Sequence, residues 1–353
     1  LVLLSYPEND ARPKNTKILQ SSPAVGKDRV NIAILGAGAH ARTMHLPALK
    51  RLKNHFSIGA VVTKSGHKAK EIAEQFGATY ASTDYKEVLA DKNIDAVIIA
   101  TRHNMHGKMT LESLKAGKHV LVEKPLSIES HEISEIDKFI SSEKELPILL
   151  TGYNRRFSPY AEKIQELIKD RSNPFIANYR MNAGYIPMDH WVHGPEGGGR
   201  NLGEACHIYD FFTALSDSKI SSISVNSIAP TTNHYSWSDN FVATLTFNDG
   251  SLCSLTYTSL GNTEHPKEIA EIYFDNKVVT LNDFKELNTI GCNNFIYKTR
   301  FQDKGLDNQL THFFDAIKNG SWPIPWWQQL QVAEIGIAIE NKIRDKQDIS
   351  TEV

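Results

Sequence analysis

The chain is expected to be an α/β protein, a doubly wound parallel sheet followed by an α+β unit with a large, mainly antiparallel sheet. Three observations point there. A β-branched run at residues 30–35 breaks directly into glycines. Short apolar runs and amphipathic runs then alternate up to about residue 151, the rhythm of parallel strands joined by helical crossovers. Beyond it, alternating runs are joined by turn signals such as Asn248-Asp249-Gly250 and Asp275-Asn276, which read as antiparallel hairpins.

Size and composition agree. At 353 residues, 41% hydrophobic and 23% charged, the chain can bury about three quarters of its extended-state surface and divide into two domains. A net charge of −2 with scattered cations supplies no field for nucleic acid or anionic lipid. No apolar run approaches the roughly 20 residues of a membrane span, so a soluble, cytoplasmic protein is expected. Cys206, Cys253 and Cys292 are odd in number and far apart, which suits neither a disulfide framework nor a CxxC metal clip.

In chain order, residues 1–28 open on the strand-like Leu1-Val2-Leu3-Leu4-Ser5-Tyr6 and continue with linker composition. They read as the tail of a preceding domain and a linker, with a trimmed terminus as the alternative. A first domain is expected over 29–151, with strands at 30–35, 57–62, 95–100, 119–122 and 147–150 and a short segment at 79–81. Its helices are expected at 41–53, 68–76, 85–90, 105–116 and 130–142. A second domain is expected over 152–353, with helices at 159–169, 202–215, 306–318 and 326–344. A loop rich in Gly, Trp and His occupies 183–199, and strands are expected at 240–247, 251–257, 268–275 and 277–281.

The strand-to-glycine junction reads Gly36-Ala37-Gly38-Ala39-His40-Ala41, a GxGxxA pattern. Gly36 and Gly38 let the backbone turn tightly and bring N–H groups against a pyrophosphate, Ala41 allows close helix–strand packing, and the next helix directs its positive end at the anion. This is a dinucleotide fingerprint. The second strand ends in Thr63-Lys64-Ser65 without the acid that would bind a ribose 2′-hydroxyl. Hydroxyls and a cation there favour NADP(H), whose 2′-phosphate a carboxylate would repel, with NAD(H) as the alternative.

Ligands of such folds sit beyond the carboxyl ends of the strands. There stand Thr101-Arg102-His103-Asn104-Met105-His106, Glu123-Lys124-Pro125, and Thr151 to Phe157 with Tyr153, Asn154 and Arg156. Thr101, Arg102, His103, His106, Glu123, Lys124, Pro125, Asn154 and Arg156 are the expected cofactor contacts. Tyr153, Tyr185, His190, Trp191, His193 and Arg200 are candidates for holding a sugar, aromatic faces against its C–H surface and arginines, Arg156 among them, on carboxylate or phosphate. His103 and His106 lie three apart with no acidic or cysteine ligand, so no metal is expected there.

These motifs, in this order, resemble the glucose–fructose oxidoreductase/inositol dehydrogenase (Gfo/Idh/MocA) family over roughly residues 28–345: GxGxxA, TRHNMH, Glu-Lys-Pro-Leu at 123–126, GYNRRF at 152–157, and the glycines from 197 followed by His-Ile-Tyr-Asp at 207–210. TRHNMH, GYNRRFSP, NAGYIPMDHWVH and GGGRNLGEACH further resemble the subgroup fused behind a zinc-dependent alcohol-dehydrogenase-like domain, a setting that suggests a sugar or sugar-nucleotide substrate and polysaccharide synthesis. The resemblance implies a Rossmann domain and NAD(P)-dependent hydride transfer. It places Lys124, after which a cis proline is expected, beside the nicotinamide and the substrate hydroxyl, and makes His207 the acid/base group, which also contacts substrate. Asp210 would order the helix rather than react.

One departure stands out. Relatives that oxidise polyols commonly carry an aspartate four residues before the histidine; here that position is Gly203, and Glu204 would point about 100° away around the helix. A nicotinamide-recycling hydrolase or lyase, or a silent nucleotide-binding module, is therefore the alternative. An uncovered apolar sheet face would also favour a homo-oligomer.

Overall fold

The structure, a computed structural model, describes residues 18–19, 28–292 and 295–351. The tail and linker expected over 1–28 lie outside the described residues, save for β1 (Ile18–Leu19) and Asp28.

Runs of apolar residues with no polar alternation can be buried only in a sheet covered on both sides, and the first sheet is of that kind. It comprises β1, β2 (Val30–Leu35), β3 (Phe56–Val62), β4 (Tyr80–Ser82), β5 (Ala96–Ile99), β6 (His119–Val122) and β7 (Leu149–Thr151), in the order β1-β4-β3-β2-β5-β6-β7. All pairs are parallel except β1 with β4. Strand order reverses between β2 and β5, which opens a crevice above their carboxyl ends. The crossovers are α1 (Leu46–Arg51), α2 (Gly66–Phe76), α3 (Tyr85–Ala90), α4 (His106–Lys115) and α5 (Ser130–Ser142).

After α6 (Pro159–Ile168), begun by Pro159 and by Ser158 accepting from the Ala161 N–H, the chain builds a second sheet of eight strands. They are β8 (Ile176–Asn182), β9 (Ile220–Ser227), β10 (Phe241–Phe247), β11 (Leu252–Thr258), β12 (Glu268–Phe274), β13 (Lys277–Asn282), β14 (Glu286–Ile290) and β15 (Ile296–Lys298). Their order is β15-β14-β13-β12-β8-β11-β10-β9, antiparallel apart from β8 with β11. Asp275 and Asn276 both take positive φ at the β12–β13 turn, as the sequence signal implies. One face packs on the almost wholly buried α7 (Cys206–Ser216), where Tyr179 meets Phe211 and Phe212 edge to face at 5.6 and 6.2 Å.

The opposite face carries a cross-strand row running Thr246, Leu252, Ile176, Tyr273, Val278, Ile290. Leu252 is 38% exposed, Ile176 49%, Tyr273 39% and Ile290 59%. Finally α8 (Leu306–Asn319) and α9 (Trp326–Thr351) return to the first sheet. Gln329 of α9 accepts the Thr151 N–H at 2.8 Å and donates to the Leu149 carbonyl at 3.0 Å, along the outer side of β7.

Several elements differ from the sequence expectation. The helix expected over 41–53 opens as a π turn at Ala41–His45 before α1 ends at Arg51, and that over 202–215 opens as a π turn at Asn201–Ala205. The strand expected at 147–150 is shifted to Leu149–Thr151, and α9 runs past residue 344 to Thr351. Strands β8, β9, β14 and β15 were not anticipated, because serine, asparagine and arginine on the open face dilute their alternation.

Candidate functional site at the strand ends

The glycine turn after β2 has the geometry its sequence implies. Gly36 has φ +92°, and a Cβ there would lie 2.6 Å from Thr101 Cγ2 and 2.8 Å from its backbone nitrogen, so no side chain is admitted. Above Gly38 nothing lies within 4 Å of a Cβ position, and Gly38, Ala39 and His40 are exposed, while Ala41 is sealed against the sheet. This open cradle of backbone fits a dinucleotide pyrophosphate. At the end of β3, Thr63 Oγ1 donates to the Ser65 carbonyl at 2.7 Å, leaving Lys64 and Ser65 exposed beside the crevice.

Glu123, at the end of β6, ties the turns together. Its Oε1 accepts from His45 Nε2 at 2.7 Å and approaches His40 Nε2 at 3.3 Å, and its Oε2 accepts from the Lys124 N–H at 3.3 Å. Burial alone would raise the carboxyl, but the two imidazoles outweigh it and hold it well below the ordinary range. Both Glu123 oxygens are thus engaged by protein groups. His40, His45 and Glu123 also place three ligand-type atoms within 4.8 Å of one another, closed here by these hydrogen bonds.

The Lys124–Pro125 peptide is cis, as expected. Lys124 Nζ donates to the Gly203 carbonyl at 2.7 Å, crossing from the first sheet to the π turn before α7. His207, on the first turn of α7, is buried with Nδ1 unpartnered among the described residues; burial, then the cations Arg155 and Lys124, push its pKa well below normal. Its imidazole is neutral. The adjoining Cys206 thiol is pushed up by burial to about 12.

The turn after β5 leans on the loop before α7. Asn104 N–H donates to Glu196 O at 3.2 Å, and the Arg102 guanidinium lies 4.0 Å over the Trp191 ring with Nε 3.5 Å from Glu196. Arg102 and Trp191 thus contact each other, not the glycine turn. His103 Nδ1 donates to Gly197 O at 2.7 Å. His106 is buried, with Nδ1 2.7 Å from Pro125 O and Nε2 3.3 Å from Thr101 O, so it braces the two turns. Both histidines bond carbonyls, and their rings lie tilted with centroids 5.5 Å apart.

Other expected ligand groups are used internally. Arg156 donates to both Asp210 oxygens, at 2.9 and 2.5 Å, and to Gln328 Oε1 at 2.6 Å, which leaves no fork for cofactor or substrate and gives Asp210 the ordering role expected of it. Arg200 is buried against Gly184 O, Ser259 Oγ, Ala183 O and Glu204. Tyr153 is fully buried, and the buried His193 approaches Ile186 O at 3.3 Å and Asp239 at 3.9 Å. Tyr153, Arg200 and the His193 side chain are buried, and Arg156 lines a surface cavity with Glu162, His312 and Gln328. Tyr185 is exposed with its face stacked on His234 at 4.0 Å, and His190 accepts weakly from the Val192 N–H at 3.4 Å. Asn154, half-buried, stands in the 3-10 turn Asn154–Phe157 after β7, where Thr151 also ends the strand.

Glu204 does point away, as expected. Arg200, Lys267 and Tyr257 hold it, and although burial raises it, Lys267 and Arg200 pull it down to about 2. Sequence reasoning missed the buried network around Glu268, which takes Arg155 at 2.7 and 2.9 Å, Lys304 at 2.6 Å and Tyr179 at 2.7 Å. No spacing signal joins residues so far apart.

Glycine cradle, switch point and strand-end lysine define a dinucleotide-binding α/β protein. Residues 30–149 match the GFO_IDH_MocA model, described as an oxidoreductase family with an NAD-binding Rossmann fold. A 4-carboxy-2-hydroxymuconate-6-semialdehyde dehydrogenase of Sphingobium sp. is 32% identical over 178 residues, 46% of this chain and 55% of the relative. A scyllo-inositol 2-dehydrogenase (NAD(+)) of Bacillus subtilis is 26% identical over 302 residues, 81% of this chain and 86% of the relative. For several curated relatives the match spans less than two thirds of their own length. A levoglucosan dehydrogenase solved with NADH and levoglucosan shares the fold at TM-score 0.78 and 18% identity, over 90% of this chain and 98% of that one.

Proposed function

We propose that this protein is an NAD(P)-dependent oxidoreductase that moves a hydride between nicotinamide and a hydroxyl or carbonyl carbon of a sugar or sugar-nucleotide derivative. The observation that carries it is Lys124, an ammonium at a strand end of the switch-point crevice, held at the seam of the two domains and in electrostatic reach of the neutral His207. A bound nicotinamide supplies the two-electron chemistry. Lys124 orients the reacting oxygen and stabilises charge on it, and His207 helps handle its proton. Named relatives that act on inositol and levoglucosan support a polyhydroxylated substrate.

Finer points of the same proposal rest on narrower support. Exposed Lys64 and Ser65 favour a 2′-phosphate and hence NADP(H). The apolar row on the open face supports self-association there, since such a row costs free energy in water. Domains divided near residue 151, a cytoplasmic setting, suggested by three free cysteines, and an upstream alcohol-dehydrogenase-like domain, supported by motif resemblance alone, complete the reading.

The test is fluorescence titration with NADPH and NADH, then a panel of sugars and nucleotide sugars followed at the nicotinamide absorbance. Lys124→Ala should lower kcat/KM by about 100-fold or more while leaving cofactor affinity nearly intact. Cofactor binding with no turnover would instead support a nucleotide-binding module.

A further inference from the structure

His103 belongs to the first domain, yet its ring is seated on the second. A Cβ built at Gly203 would lie 2.8 Å from His103 Cε1 and 3.4 Å from Nδ1, with Val192 Cγ2 at 3.7 Å closing the same space. Only glycine at 203 leaves room for the imidazole. The carbonyl of that same glycine accepts from Lys124 Nζ at 2.7 Å. One residue therefore carries the ammonium on its carbonyl and the imidazole against its α-carbon, delivered from two different strand ends. Trp191 packs on the ring edge to face at 4.8 Å and fixes its plane.

The proton on His103 can be assigned from its partner. The Gly197 carbonyl can only accept, so at 2.7 Å the hydrogen sits on Nδ1 and Nε2 is left as a bare lone pair. Nε2 has no hydrogen-bond partner among the described residues, and the residue retains 7% exposure. His207 has the opposite polarity. Its Nδ1 is sealed without a partner among the described residues, and since a buried orphan N–H is the costlier choice, its hydrogen sits on Nε2. Beside Lys124 thus stand one imidazole that presents a hydrogen and one that presents a lone pair; burial, then Lys124 and His106, push the latter, His103, down to about 3, so it stands neutral.

We infer that His103 is a second acid–base residue of this site, the group that takes the substrate hydroxyl proton while Lys124 and the His207 Nε2–H hold the oxygen. This rests on the dehydrogenase reading. In the oxidative direction the C–H bond breaks and its electron pair leaves with the hydrogen to the nicotinamide ring. The O–H bond breaks as C=O forms, and the proton passes to His103 Nε2 and from there to water. Reduction runs the same transfers backwards.

The experiment combines His103→Ala with added imidazole. Turnover should fall by about 100-fold, nicotinamide fluorescence titration should be unchanged, and imidazole should restore part of kcat saturably by filling the vacated space. His103→Asn, nearer in volume, should be as slow as His103→Ala. Wild-type kcat in either variant overturns the assignment, as does a loss that imidazole does not relieve, because a packing role would behave so. Gly203→Ala should lower Tm by forcing a methyl into the ring, and the loss should shrink in a His103→Ala background; additive shifts would remove the contact on which the inference stands. If the wild type binds NAD(P)H but turns over no substrate, the dehydrogenase reading fails and this assignment with it.

Discussion

The two sheets solve the burial problem differently. Every residue of β2 is buried, whereas β10 alternates buried and open positions along its length. A sheet covered on both faces has no face left for a ligand, so its chemistry collects where the strands end, at Gly36, Thr101 and Lys124. The second sheet packs one face on α7, which brings His207 to those strand ends, and its other face exposes Leu252, Ile176, Tyr273 and Ile290.

That contrast can be tested at four positions. The largest effect is expected at Glu268, the buried anion that joins Arg155 to Lys304: Glu268→Ala should cost about 3–5 kcal/mol in urea unfolding, since two cations lose their partner. Next, matched truncations separate the sheets. Ile98→Ala in β5 should cost about 2–4 kcal/mol, because that residue is wholly buried. Ile176→Ala on the open face should change unfolding by no more than about 0.5 kcal/mol yet weaken self-association in sedimentation; a loss as large as that at Ile98 would mean the face is covered within the chain. The smallest effect is pH dependence at Glu204. Its folded pKa of about 2 lies below the ordinary 4.5, so its contribution is present above about 4.5 and is lost as pH falls through about 2. Glu204→Gln should flatten the urea midpoint across that window.

What was legible in the sequence was local. The glycine turn and the hairpin at Asp275-Asn276 depend on a few adjacent residues, and the structure places them as expected, whereas the cis Lys124-Pro125 bond follows from the family resemblance. What escaped depends on pairs far apart in the chain. Arg156 looks like an anion reader until Asp210, 54 residues on, takes its guanidinium. His45 gives no sign that Glu123, 78 residues away, will accept a hydrogen bond from it. Gly203 reads as a missing acid, and only the folded chain shows His103 in the space beside it.

The Gln329 amide has a consequence for behaviour at high concentration. An outermost strand ordinarily offers free N–H and C=O groups on which a strand of another molecule can add, the first step of edge-to-edge aggregation. On β7 the Thr151 N–H and the Leu149 carbonyl are already bonded to one side chain of α9. The helix therefore works as a stopper: while it is docked, that end of the sheet cannot template polymer growth.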